Sequence, residues 1–274
     1  MSSIDIRNLS FCYRSTAGST MALQDLSLSI PQGQFVCLVG HSGCGKSTLL
    51  SMLAGLETPD KGSIRIGGHE LSGPGTDRAM VFQHYSLFPW MTVGRNVAFS
   101  IEHSRPGLGK DEVAALVRQH LEQVGMAAQI DSYPHELSGG MQQRVAIARA
   151  LAMDAPVLLL DEPFGALDAR NRAELQQLLV RLWQESQPHK TVVFVTHDLH
   201  EAILLADRIV FMRPRRIERV IDVPFERPRD IDRLAASPAY HQLRDELLGL
   251  FYLDEDEEPA PAGALAGERG GLHG

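Results

Sequence analysis

Phe35-Val36-Cys37-Leu38-Val39-Gly40-His41-Ser42-Gly43-Cys44-Gly45-Lys46-Ser47-Thr48 is the stretch on which the reading of this chain turns. Its first five residues are an unbroken apolar run, the pattern of a strand buried on both faces. The next eight fit GxxxxGK[ST], and residues 46–54 continue at helical spacing. A strand before and a helix after are the context that makes this motif a phosphate-binding loop. The glycines let backbone N–H groups close around phosphate oxygens, and the helix start adds partial positive charge. Gly40, His41, Ser42, Gly43, Cys44 and Gly45 are therefore candidate binding residues through their backbone. Lys46 should reach the β- and γ-phosphates, Ser47 should ligate Mg²⁺, and Thr48 should support the α-phosphate side. Cys44 is either a reactive thiol of lowered pKa at a helix start or the occupant of a tolerant position, and the second reading is preferred.

Outward from this loop, short apolar runs alternate with helical patterns. Strands are predicted at 4–13, 23–30, 35–39, 62–66, 79–82, 157–160, 192–196 and 208–212, and helices at 46–54, 111–124, 139–152, 170–185 and 199–206. Apolar strands between helices imply an α/β fold with a mostly parallel core sheet covered on both faces. The strands up to residue 30 arrive without intervening helices and are expected as an antiparallel β subdomain at one edge.

Val157-Leu158-Leu159-Leu160-Asp161-Glu162 is an apolar strand ending in two acids. Buried acids are costly unless paired or metal-bound. Adjacent strand residues face opposite sides, so the two carboxylates should do different work. Asp161 is placed to hold Mg²⁺, and Glu162 to act as general base on an attacking water. A kinase, a GTPase or an ATPase fits these two motifs. No NKxD, the pattern that reads guanine, occurs in the chain.

Composition narrows the class. The 274 residues carry 26 Lys+Arg against 34 Asp+Glu, an acidic balance that argues against binding nucleic acid. No apolar run approaches the ~18 residues that cross a bilayer, and no signal peptide is expected from the start MSSIDIRN. Cys12, Cys37 and Cys44 are too few and scattered for a disulfide framework. Five consecutive acids, Asp254 to Glu258, precede a Pro/Ala/Gly-rich stretch without periodicity. Residues 254–274 are expected as a disordered tail, and 1–253 as one domain with a helical subdomain at about 88–155.

Leu137-Ser138-Gly139-Gly140-Met141-Gln142-Gln143-Arg144 precedes a helix, with Ser138 a natural N-cap. Alone it is an ordinary helix start. Together with the phosphate loop and the acid pair it resembles the signature motif of ATP-binding cassette (ABC) transporter ATPases, over residues from about 4 to 250. The resemblance implies a P-loop NTPase fold with an α-helical signature subdomain, and ATP with Mg²⁺ as the ligands. Tyr13 matches the aromatic that stacks on adenine, a reading preferred to simple packing at the sheet edge. Gln83 in Met80-Val81-Phe82-Gln83 matches the glutamine that senses Mg²⁺ and the attacking water. Asp168 in Gly165-Ala166-Leu167-Asp168 matches a loop contacting the partner subunit, and His197 matches the switch histidine. Ser138, Gly139, Gly140 and Gln142 would meet the nucleotide held by a second copy. His197 and His200 also form HxxH, but a zinc site lacks a further ligand at helical spacing.

One phosphate loop and one signature make half of an ATPase, so the resemblance implies a sandwich of two copies. It also implies separate integral membrane permease subunits and, indirectly, a solute-binding protein. The chain would then sit peripherally on the cytoplasmic face of the membrane. It ends short of family members that carry a C-terminal regulatory barrel, so regulation through one is not expected. Residues 73–83 and Leu87-Phe88-Pro89-Trp90-Met91-Thr92-Val93 resemble the subfamily serving nitrate, sulfonate and taurine importers. An exporter or lipoprotein-release ATPase is the second reading, and a soluble non-transport cassette protein the third.

Overall fold

Every residue of β3 (Phe35–Gly40) is buried, so both faces of this strand must be covered. Its parallel neighbours are β8 (Thr191–Val195) and β9 (Arg208–Arg213), placing it inside a six-stranded sheet. The computed structural model describes residues 2–16, 18–83 and 86–252. With β7 (Val157–Asp161), β6 (Arg78–Val81) and β10 (Arg216–Asp222), the sheet runs β10-β9-β3-β8-β7-β6. Only β10 is antiparallel to its neighbour.

The period of two along each strand divides the core. On one face Val36, Leu38, Leu159, Val193, Val195 and Val210 pack against α1 (Lys46–Ala54) and a second, antiparallel sheet. That sheet runs β2-β1-β4-β5, from β1 (Ile4–Ser15), β2 (Gly18–Ile30), β4 (Lys61–Ile66) and β5 (His69–Glu70). It is a subdomain of its own, meeting the β10 end of the parallel sheet through a bridge between Leu23 and Arg215. The other face presents Phe35, Cys37, Val39, Leu158, Leu160, Phe194 and Phe211 to a helical layer.

That layer contains α2 (Val93–Ser104), α3 (Lys110–Gln123) and α4 (Gly139–Ala152), which pack on one another. It continues with α5 (Ala169–Glu185), α6 (Leu199–Leu205), α7 (Ile231–Ala235) and α8 (Pro238–Tyr252). Thr92 caps α2, its side chain accepting from Arg95 N. Apolar periodicity puts its helices within one residue of these bounds but does not mark α2, β5, β10, α7 or α8. β10 is an edge strand whose residues are mostly exposed, so charge rather than an apolar run fills it. α8 buries Tyr240, Leu243, Leu247 and Leu250, a helical stripe from the last described segment. It is fastened to α6 by a 2.6 Å bond between His200 Nδ1 and the Tyr240 hydroxyl. Among the described residues no helix is long and apolar enough to cross a membrane. The segment 254–274, expected as a tail, lies outside the described residues.

Candidate functional site

β3 delivers the chain into the phosphate loop through Gly40, whose φ is 150°. A Cβ there would collide with the Met212 carbonyl of β9, and one at Gly45 (φ 109°) would lie 2.7 Å from Leu23 Cδ2. Glycine is thus required by both conformation and space. Lys46 is 6% exposed, and its ammonium donates to Gly40 O at 2.8 Å and His41 O at 2.9 Å. His41, Ser42 and Gly43 form the open rim, and Thr48 is turned inward. Cys44 is buried in the cluster that holds Leu38 and Leu49. Burial pushes its thiol up, against the pull of the Lys46 charge, so the low-pKa alternative is corrected.

β7 carries the acid pair to the same place. Ser47 Oγ, in the first turn of α1, donates to Asp161 Oδ1 at 3.0 Å. Burial raises the Asp161 carboxyl, the Ser47 bond lowers it, and the neighbouring Glu162 raises it again. Glu162 stands at φ 40°, a left-handed conformation uncommon for a residue with a side chain. Its N–H donates to Val195 O at 3.1 Å, at the end of β8. Two residues further on, His197 Nδ1 lies 3.2 Å from Glu162 Oε2 and donates to it. His197 is largely exposed, so its ring is held chiefly by this contact.

Tyr13, half exposed, bonds through its hydroxyl to Thr48 Oγ1 at 3.1 Å, beside the loop. Gln83 is exposed just beyond β6. These residues and the acid pair converge on one end of the parallel sheet. The signature forms a second group. Ser138 caps α4, accepting from Met141 N at 3.4 Å, and Gln142 Nε2 donates to Leu137 O at 3.2 Å. Gly139 is the first residue of α4, and a Cβ on Gly140 would stand 3.3 Å from Asn171 Cγ. Asn171 also donates twice to Asp168, the N-cap of α5, drawing that carboxyl below its ordinary range. The loop of Asp168 and the signature therefore meet across Asn171.

The sequence reading missed Arg172, Thr196 and Glu201, which share with Glu162 and His197 a cavity of about 20 Å³. No local sequence signal marks them as a group, because the cavity forms only where α5 packs beside the start of α6. His200 is committed to Tyr240, and no group of three metal-ligating side chains occurs among the described residues.

A glycine-defined loop between a buried strand and a helix, with a hydroxyl and a carboxylate beside it, defines a P-loop nucleoside triphosphatase. The ABC transporter family model matches residues 23–165. The nitrate import ATP-binding protein NrtD of Synechococcus elongatus is 46% identical over 86% of each chain. The bicarbonate transport ATP-binding protein CmpD of Synechocystis is 43% identical over 91% of this chain and 89% of its own. Among solved structures, the ATP-binding cassette MJ0796, a dimer in a post-hydrolysis state with ADP and Pi, superposes with a TM-score of 0.73. It is 32% identical and covers 81% of this chain and 100% of its own. The chain belongs to the ABC transporter family, as one of its ATP-binding ATPase cassettes.

Proposed function

We propose that this chain is the ATP-hydrolysing subunit of an importer for a small oxyanion of the nitrate or bicarbonate kind. Sulfonates and taurine remain in the same class. The observation carrying the catalytic reading is the Glu162–His197 pair set beside the Ser47–Asp161 pair. Lys46 and the loop backbone bind the triphosphate, and Tyr13 supports the base. Glu162 accepts the proton of the attacking water, oriented by His197, while Gln83 approaches from the β6 loop. A hydroxyl and a carboxylate 3.0 Å apart are hard oxygen ligands that suit Mg²⁺. Bound there, the ion would supply charge neutralisation on the phosphate oxygens.

Two copies would close on two nucleotides, each offering Ser138, Gly139, Gly140 and Gln142 to the other's site, with Asp168 at the contact. Integral membrane permeases would carry the solute, received in turn from a solute-binding protein, with this subunit peripheral on the cytoplasmic face. Trp90 and Phe99 are exposed around Phe88, over which Arg149 stacks at 5.5 Å. This aromatic surface suits a permease helix. Similarity to nitrate and bicarbonate import proteins supports the direction and the solute class.

The Glu162→Gln variant tests the reading. An amide keeps the size and the hydrogen bonds but cannot accept a proton. The variant should bind ATP, run as a dimer with ATP and as a monomer without it, and hydrolyse ~10²–10⁴-fold more slowly. Near-normal hydrolysis would overturn the assignment of the base.

A further inference from the structure

α5 and α6 are joined by two side-chain rungs, one helical turn apart. On the first, Arg172 Nη1 lies 3.9 Å from Asp198 Oδ2. The same guanidinium donates through Nη2 to Leu167 O at 3.1 Å, inside the loop that ends at Asp168. On the second, Gln176 Nε2 donates to Glu201 Oε1 at 2.9 Å, both side chains buried. Asp198 in turn fixes the start of α6, accepting from His200 N and Glu201 N, while its own N–H donates to Thr196 Oγ1. His197 therefore stands between two residues held by α5 and its neighbours. The circuit closes through Glu162, which receives His197 at one end and whose carbonyl accepts from Gly165 N at 3.2 Å. Glu162, His197, Arg172, Asp198 and Glu201 all face the same cavity of about 20 Å³, room for a single water.

The strengths of the rungs differ. Gln176–Glu201 is buried and close, and anchors the two helices. Arg172–Asp198 is long, with both side chains more than a third exposed, a kind of pair that adds little stability. What Arg172 does add is geometry, because its planar fork engages the Leu167 carbonyl and the Asp198 carboxylate together.

We propose that Arg172 is a positioning residue for ATP hydrolysis, transmitting the placement of the 165–168 loop to the Glu162–His197 pair of the same chain. This rests on the reading above of Glu162 as base and of that loop as the contact with a second copy. A shift of the loop on closure moves the guanidinium, the guanidinium moves Asp198, and the turn carrying His197 follows.

The test uses the full chain with Arg172→Met, Arg172→Lys, Asp198→Asn and the Met/Asn double variant. Asn is the replacement at 198 because it caps a helix as well as Asp does. Melting temperature, ATP affinity by calorimetry, kcat, KM and the Hill coefficient for ATP are measured. Arg172→Met should melt and bind ATP as the parent does, with kcat lower by about tenfold and the Hill coefficient reduced toward one. Lys, which reaches one partner at a time, should recover part of kcat. The double variant should be no slower than Arg172→Met, since both changes break one link. Unchanged kcat and Hill coefficient in Arg172→Lys and Arg172→Met, or multiplicative losses in the double variant, would overturn the proposal. If those results came with an inactive Glu162→Gln, the coupling alone would fail. An active Glu162→Gln would instead remove the reading on which it rests.

Discussion

Lys46 is the residue on which nucleotide binding turns, and its buried ammonium donates to Gly40 O and His41 O. In Lys46→Ala these two carbonyls lose their donor and the triphosphate loses its counter-charge. ATP affinity should fall ~10–100-fold, the worth of a charge-assisted hydrogen bond, in a protein that still folds; equilibrium dialysis with labelled ATP measures it. The cysteines separate in the same way by position. Cys37 and Cys44 are buried, Cys12 only partly so. A thiol reagent should therefore modify Cys12 alone in the native protein, at a rate ATP does not alter, and all three after denaturation. Protection of a fast-reacting Cys44 by ATP would show that the loop opens in solution.

Elements respond to pH through the groups they bury. Glu201 lies on α6 with its carboxyl raised chiefly by burial, while its bonds to Thr196 and Gln176 oppose the shift. A carboxyl whose folded pKa exceeds its unfolded value of 4.5 costs nothing below that pH, where both states are protonated. Above it the unfolded chain ionises first, so folding is progressively penalised as pH rises. Glu201→Gln should thus raise the melting temperature at pH 7.5, with the gain vanishing toward pH 4. How far each element was legible follows from how local its signal is. The passage from β3 through the loop to α1 is written in adjacent residues, and its bounds fall where the glycines and apolar runs put them. β10 is not, because Arg216, Glu218 and Arg219 mark an edge strand whose ladder partner is β9. The Asn171 contact with Gly140 and the Arg172–Asp198 rung join residues about 30 positions apart. No periodicity announces such pairs, since only the packing of α4, α5 and α6 brings them together.

At the scale of the molecule, two apolar clusters, one on each face of the parallel sheet, include no residue beyond Phe251 among those described. An acidic, Pro/Gly-rich segment has no apolar face to add to them. Deleting 254–274 should leave the melting temperature and the ATPase rate unchanged, and a lowered melting temperature would reveal a docked element. The order of strands has a separate consequence, one of time. β3 is synthesised well before both of its neighbours, β8 and β9. About 170 residues separate Gly40 from Arg213, and at ribosomal speeds they take ~10–30 s to appear. For most of that interval the emerging polypeptide holds Phe35, Val36, Leu38 and Val39 with neither flanking strand yet made, since β8 begins only at Thr191. The nucleotide loop leaves the ribosome long before the strands that will flank its floor.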